Sequence, residues 1–140
     1  IAGYAKQIRD YIPQGLVFNS KDNPDWTDEG NNVISTRKLE NTLLQPGQTA
    51  DVTVLLTWKN DKNNLGLKVN TAEISEDYNN KHIPDRDSTP NNKKPGEDDI
   101  DDAPVLLAAV AGTKPQYIAL IGTVLAIIGT GIGLIIKFVL

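Results

Sequence analysis

The residue types that are absent or rare exclude several classes of protein. The chain has 140 residues, with no cysteine, no methionine and one histidine. Without cysteine there is no disulfide framework, thiol nucleophile or cysteine-based zinc site. The lone His82 has no serine or cysteine partner at a recognisable spacing, so we expect a solvated side chain rather than a catalytic base. Because the sequence begins at Ile1 without methionine, we expect a fragment or a processed product.

Positive charge is scarce in one stretch, and this narrows the range of partners. Residues 76–102 carry four lysines and arginines against nine aspartates and glutamates, and the whole chain has a net charge of −4. Such acidity disfavours nucleic acid as a partner. No glycine-rich phosphate loop is present, and no acid–base pair or nucleophile stands out in the sequence. We therefore expect no nucleic-acid partner and no enzyme.

What the sequence does contain is one long apolar run, Tyr117–Leu140, with no charged residue between Tyr117 and Ile136. A helix needs roughly 20 such residues to cross about 30 Å of hydrocarbon. A helix also satisfies all of its backbone groups within a single segment. The run therefore predicts a transmembrane helix over residues 117–140, with membrane lipid as its partner.

Residues at the two ends of this run predict its orientation. Tyr117 suits the membrane interface, and Lys137 is the one charge after the span, which favours the last residues inside the cell. The rest of the chain would then lie outside, as a single-pass cell-surface protein. Gly129 and Gly133 have the GxxxG spacing of packed membrane helices, although small residues are also tolerated there without any packing role.

Residues 1–75 have the period of two that is typical of strands. Val52, Val54, Leu56 and Trp58 share one face, which predicts Trp58 in the core, whereas Trp26 follows a loop and is expected to be partly exposed. Further strands are predicted at 6–12, 16–18, 33–39 and 65–75, the last with a β-bulge near Val69. The fold class is therefore mostly β, an Ig-like β-sandwich. It is expected to be partial, because a complete sandwich has about seven strands.

Residues 76–116 are predicted to form an acidic stalk rich in Asn, Asp and Pro, with a short strand at 103–110 behind it. Few apolar residues are available there to build a core. The sequence thus divides into a β domain at 1–75, a stalk at 76–116 and the membrane helix.

Four stretches in this order carry a family resemblance. They read RDYIPQGLVF, LQPGQTADVTV, KVNTAEIS and IPDRDSTPNN…PGEDDIDDAPV. Together they resemble the Ig-like "conserved repeat" domain of Gram-positive bacterial cell-surface proteins, in the membrane-proximal copy. The resemblance implies an adhesin-like or structural module next to upstream repeats of the same protein, with a host or matrix protein or a glycan as its target. The segment before the span reads VAGTKPQ in place of a sortase motif, so the helix itself would be the permanent anchor.

The resemblance also implies a site for an intramolecular isopeptide bond. Related domains join a lysine amine to an asparagine side chain with the help of a buried carboxylate. Here Asp10 corresponds to the carboxylate and Asn70 to the amide, and Lys6 is the only nearby amine on the predicted face of Asp10. The alternative is that Asp10 and Asn70 only hydrogen-bond turns and a bulge.

Calcium is the second candidate ligand, and the chain otherwise predicts no cofactor. Asp77, Asn79, Asp85 and Asp87 place oxygen ligands at alternate positions. The acidic run that follows (Glu97, Asp98, Asp99, Asp101 and Asp102) could add ligands, or could simply be solvated. The alternative function is therefore a membrane-anchored binding domain for calcium, a glycan or another small ligand.

Overall fold

A computed structural model of the chain describes residues 1–59, 61, 63–107, 123–128 and 131–136, and the last two ranges are described by their backbone only. The strands are β1 (Tyr4–Tyr11), β2 (Leu16–Phe18), β3 (Thr27–Gly30), β4 (Val33–Thr36), β5 (Thr49–Val52), β6 (Leu56–Trp58), β7 (Gly66–Tyr78), β8 (Ile100–Leu107), β9 (Thr123–Ile128) and β10 (Gly131–Ile136). The predicted fold class is confirmed at the level of a mostly β protein with antiparallel pairing.

The main sheet has five strands in the order β3-β4-β1-β7-β8, and all of its pairs are antiparallel. β2 pairs with β6, and β5 pairs with β9, which pairs in turn with β10. One hydrophobic core joins these sheets. Its members include Ile8, Ile34 and Ile74 from the main sheet, with Val52 and Leu56 from β5 and β6.

The shared face predicted for residues 52–58 is confirmed, but the strand itself is interrupted. Val52, Val54 and Leu56 are all buried, and Trp58 packs against the same core. In the break between β5 and β6, the side chain of Asn23 bonds both the carbonyl oxygen and the amide of Leu55, at 2.9 and 2.6 Å. A side-chain amide from a distant loop thus replaces the strand partner at this position.

The β-bulge predicted near Val69 is wrong. The β7–β8 register runs without a shift from Gly66 opposite Leu107 to Glu73 opposite Ile100. Val69 is exposed and Asn70 is buried because the two sides of β7 face solvent and core in turn. The register shifts occur in the pairing of β1 with β7 instead, between Ala5 and Gln7 and between Gln7 and Ile8 of β1.

The chain from β7 to β8 returns to the same sheet. β7 continues past Ser75 to Tyr78, and the strand predicted at 103–110 corresponds to β8, Ile100–Leu107, which forms the edge beside β7. Residues 79–99 are thus a long connection between two paired strands, and part of it packs on the outer face of the sheet.

Half of the predicted membrane segment lies outside the described residues. Tyr117, Gly129 and Lys137 are among those that are not described, and Gly133 lies in β10. Among the residues that are described, no helix is long and apolar enough to cross a membrane. The membrane span stays a prediction.

Candidate functional site

A buried carboxyl–amide pair lies between the two central strands of the main sheet. Asp10 of β1 and Asn70 of β7 are each 1% exposed. The Nδ2 of Asn70 donates a hydrogen bond of 2.7 Å to Oδ2 of Asp10. The Oδ1 atoms of both residues are buried and have no partner within the described part of the chain. Two buried acceptors therefore lack a donor in that part of the chain, and an amine is a donor of the required kind.

Burial decides the protonation of this pair. Removal from water raises the pKa of Asp10 to about 7, although the hydrogen bond from Asn70 acts in the opposite direction. A carboxyl with a pKa near neutrality exchanges its proton easily, which is the property that general acid–base chemistry requires.

Lys6 does not join the pair in this structure. The register shifts around Gln7 change the alternation of β1, so that Gln7 and Ile8 are both buried and Lys6 is turned away from the face of Asp10. The Lys6 ammonium donates to the backbone carbonyl of Glu40 at 2.6 Å and lies 4.9 Å from the ring centre of Tyr4. The sequence placed Lys6 beside Asp10 because strict alternation does not anticipate a bulge.

Lys68 is an amine that the sequence reasoning missed. It precedes Asn70 by two residues on β7, so both side chains point to the inner face, and it is partly buried. Its β8 partner is the buried Val105. Alternation along β7 could have indicated Lys68, once Asn70 had been placed on the inner face.

The long connection between β7 and β8 is fastened to the outer face of the sheet by Glu73. This residue is fully buried, and its Oε1 accepts hydrogen bonds from the backbone amides of Asn92 and Lys93, at 2.6 and 3.0 Å. Its Oε2 accepts a hydrogen bond of 2.7 Å from the hydroxyl of Tyr11. The Lys93 ammonium lies 3.8 Å from the Tyr11 ring centre. One carboxylate thus orders the middle of a segment whose composition alone suggests no structure.

Three carboxylates meet in this connection. Ligand oxygens of Asp85, Asp87 and Asp98 all lie within 4.8 Å of one another. Burial raises the pKa of Asp98, and the nearby charges of Asp85 and Asp87 raise it further. A hydrogen bond with Asp85 is the main cause that raises the pKa of Asp87. Bringing these charges together is unfavourable without a proton or a cation between them, and carboxylate oxygens are the ligands that Ca²⁺ prefers.

The four residues predicted for calcium are only partly brought together. Asp85 and Asp87 are in the cluster, and Asp98 joins them from the acidic run of the sequence. Asn79 closes a turn on Ile83, donating to its carbonyl oxygen at 2.7 Å and accepting from its amide at 3.1 Å. Asp77 lies near enough to Asp85 for that charge to raise its pKa, but burial is the larger cause.

Asp99 is a further buried acid beside this cluster. It is 3% exposed, and neither carboxylate oxygen has a hydrogen-bond partner among the residues described. Burial raises the pKa of Asp99 to about 6, and the nearby Glu73 and Glu97 add to the effect. Its backbone carbonyl accepts the amide of Ile74, which fixes the residue against the sheet at the start of β8.

Trp26 and His82 each contact another part of the domain. Trp26 was predicted to be partly exposed, but it is 5% exposed and donates its indole N–H to the carbonyl of Thr53 at 2.7 Å. Trp26 is buried because its indole N–H bonds the Thr53 carbonyl, which has no strand partner at the break between β5 and β6. His82 is exposed and packs edge-on against Tyr78, with ring centres 5.5 Å apart.

Comparisons with models of protein families, with curated proteins and with solved structures found no match to this chain. Assignment of function therefore depends on the residues of the chain itself.

Proposed function

We propose that this chain is a structural and adhesive module of a bacterial surface protein, displayed outside the cell and tethered by a C-terminal membrane helix. Upstream repeats of the same protein would extend it outward, and a host or matrix protein or a glycan would be its target. The observation that carries the proposal is the position of β8, the strand that leads from the domain toward the predicted anchor at Tyr117–Leu140.

The pairing of β8 suits a module that bears load. β8 is antiparallel to β7 through eight register positions, and β7 pairs in turn with β1 in the centre of the sheet. The hydrogen bonds of such a pair run perpendicular to the strands. A pull on β8 along its own axis, from the anchor, would therefore be shared by the whole ladder rather than opening one bond at a time.

Protease accessibility on intact cells tests the proposal. The full chain, with a secretion signal and an epitope tag at each end, would be expressed in a Gram-positive host. We expect added protease to remove the N-terminal tag and leave the C-terminal tag intact. A variant with two aspartates in the apolar run, Ile127→Asp with Ile128→Asp, should release the chain into the medium. An N-terminal tag that stays protected would contradict the proposed orientation.

A covalent cross-link at Asn70 belongs to this proposal. The lysine nitrogen would bond to Cγ of Asn70, the Cγ–Nδ2 bond would break, and ammonia would leave with a proton relayed by Asp10. The position of Lys6 disfavours Lys6 as the amine, and Lys68 shares the face of Asn70. An intact mass roughly 17 Da below the sequence mass, restored in Asn70→Ala after allowance for the substitution, would support the bond. The unaltered sequence mass would exclude it.

Calcium binding is the second candidate function, favoured by the approach of Asp85, Asp87 and Asp98. The buried Oδ1 of Asp98 has no protein partner within the described ranges, which leaves an acceptor available to a cation. We expect titration calorimetry of the full chain with millimolar calcium to give a saturable heat that Asp98→Asn abolishes. Asp51→Asn, at an exposed position on β5, is the matched control and should leave the heat unchanged. The absence of heat from the unaltered chain would exclude the site.

A further inference from the structure

Apolar side chains lie exposed together at one end of the main sheet. Leu67 is 64% exposed, Val69 41% and Leu106 69%, and Leu65 just before β7 is 42% exposed. Leu67 is directly opposite Leu106 in the β7–β8 register, and Val69 is opposite the exposed Pro104. Leu67, Val69, Pro104 and Leu106 occupy adjacent register positions on the outer face, and together with Leu65 just before β7 we call them the β7–β8 apolar patch. Contiguous exposed apolar surface is typical of an interaction site.

Negative charge is separated from this patch along the same two strands. The carboxylates of β7 and β8 all lie toward the other end of the pair: Glu73, Glu76, Asp77, Asp101 and Asp102. The boundary is the pair of Thr71 and Asp102, whose side chains are hydrogen-bonded at 2.5 Å. Beyond it the acidic connection of residues 79–99 covers the outer face. An acidic surface is repelled by anionic lipid, whereas the apolar end is not.

The patch is also close to the predicted anchor. Leu106 is the penultimate residue of β8, and nine residues lie between Leu107 and Tyr117. Even fully extended, such a segment reaches at most about 35 Å. The patch is therefore held near the bilayer if the span forms, and it lies at the end of the sheet from which the chain continues toward that span.

We propose that the β7–β8 apolar patch docks on the lipid surface and sets the domain upright on the membrane, with its acidic connection pointing away. The proposal rests on the proposed membrane anchor. Leucine and valine side chains gain by leaving water for the interfacial region of a bilayer. Another chain is a poorer occupant of this edge, because Pro104 lacks the N–H that strand addition along β8 would use.

Site-directed labelling tests the docking, and the absence of native cysteine makes single labels straightforward. The full chain would be placed in lipid nanodiscs with a fluorophore on Leu67→Cys or Leu106→Cys. The matched control is Val17→Cys, on β2, where the native side chain is 43% exposed. We expect nitroxide-labelled lipids to quench the first two labels several-fold more than the control. Fluorescence of the buried Trp26 reports whether each variant is folded.

The other outcomes overturn the proposal in distinguishable ways. Equal quenching at all three positions would mean that the domain stands clear of the lipid. Labels shielded from aqueous quencher but not reached by lipid quencher would mean that protein covers the patch: a second copy if the shielding disappears on dilution, or residues 108–116 if it does not. A chain that leaves the nanodisc on alkaline extraction would contradict the anchor itself. A chain that stays while its Leu67 label is not quenched would contradict only the docking.

Discussion

The protonation of Asp10 predicts an unusual dependence of stability on pH. Asp10 is almost completely buried, its one hydrogen-bond donor is a neutral amide, and its pKa is raised from 3.8 to about 7. In this pH range the folded state therefore holds a proton that the unfolded state has released. The free energy of unfolding should fall as pH rises from about 4 to about 7, and should then level off. This is the opposite of a carboxylate that is stabilised by an ion pair.

The size of the effect follows from the two pKa values. Between about pH 5 and about pH 8, only the folded state holds the proton until the pH passes the folded pKa of about 7. The unfolding free energy therefore falls over about two pH units, by roughly 3 kcal/mol. Asp10→Asn keeps the shape and removes the ionisation, so it should abolish this part of the pH dependence. Asp99, whose pKa is raised to about 6, would contribute a smaller decline that remains in the variant. The variant should thus gain stability relative to the parent as pH rises.

Urea unfolding of the full chain in nanodiscs, followed by tryptophan fluorescence in chelator-containing buffer, would measure the effect. The informative quantity is the change in stability between the two pH values, compared between Asp10→Asn and the unaltered chain. Asp51→Asn, at an exposed position, controls for the loss of one negative charge. Equal pH dependence in the parent and in Asp10→Asn would refute the reasoning. So would an Asp10→Asn variant that is relatively less stable at the higher pH.

Three further substitutions test the packing and the long connection. Glu73→Ala removes the acceptor of two backbone amides and of the Tyr11 hydroxyl, so we expect the unfolding free energy to fall by about 2 kcal/mol. Protease should also cleave faster within residues 79–99, and unchanged cleavage would show that other contacts hold the connection. Trp26→Phe deprives the Thr53 carbonyl of its donor and should lower the unfolding free energy by about 1–2 kcal/mol in thermal denaturation, whereas no loss would mean that water replaces the indole. Leu56→Ala removes a side chain that is 1% exposed and should cost about 3 kcal/mol by the same assay, and a value under about 1 kcal/mol would contradict its place in the core.

Local sequence patterns were sufficient to predict which side chains are buried where the alternation of a single strand decides it. Alternation placed Val52, Val54 and Leu56 on one buried face, and the structure confirms this. The same rule failed at Lys6, because the register shifts around Gln7 arise from pairing with β7 and leave no mark on the local sequence of β1. It also failed at Trp26, whose burial depends on a free carbonyl contributed by residue 53.

The two candidate sites, too, could be predicted from the sequence only in part. The residue types for a carboxyl–amide pair and for an acidic cluster can be read from the chain. Their contacts depend on residues far apart in sequence: Asp10 and Asn70 are joined across β1 and β7, and Asp98 meets Asp85 and Asp87 only because the connection folds back. Composition predicted a stalk for that connection because few apolar residues are present, and the anchoring role of Glu73 is invisible to composition.

By itself the sequence determined the mostly β character, the absence of any cysteine chemistry and the acidic stretch beside the apolar run, because these depend on composition and on local period. Tertiary structure alone decided which polar groups are buried together and which apolar residues are left exposed. Asp10 acquires a pKa near neutrality only through burial in the folded core, and Leu67 and Leu106 form a patch only through strand register. Burial and register are set by contacts between distant parts of the chain, and no local pattern encodes them.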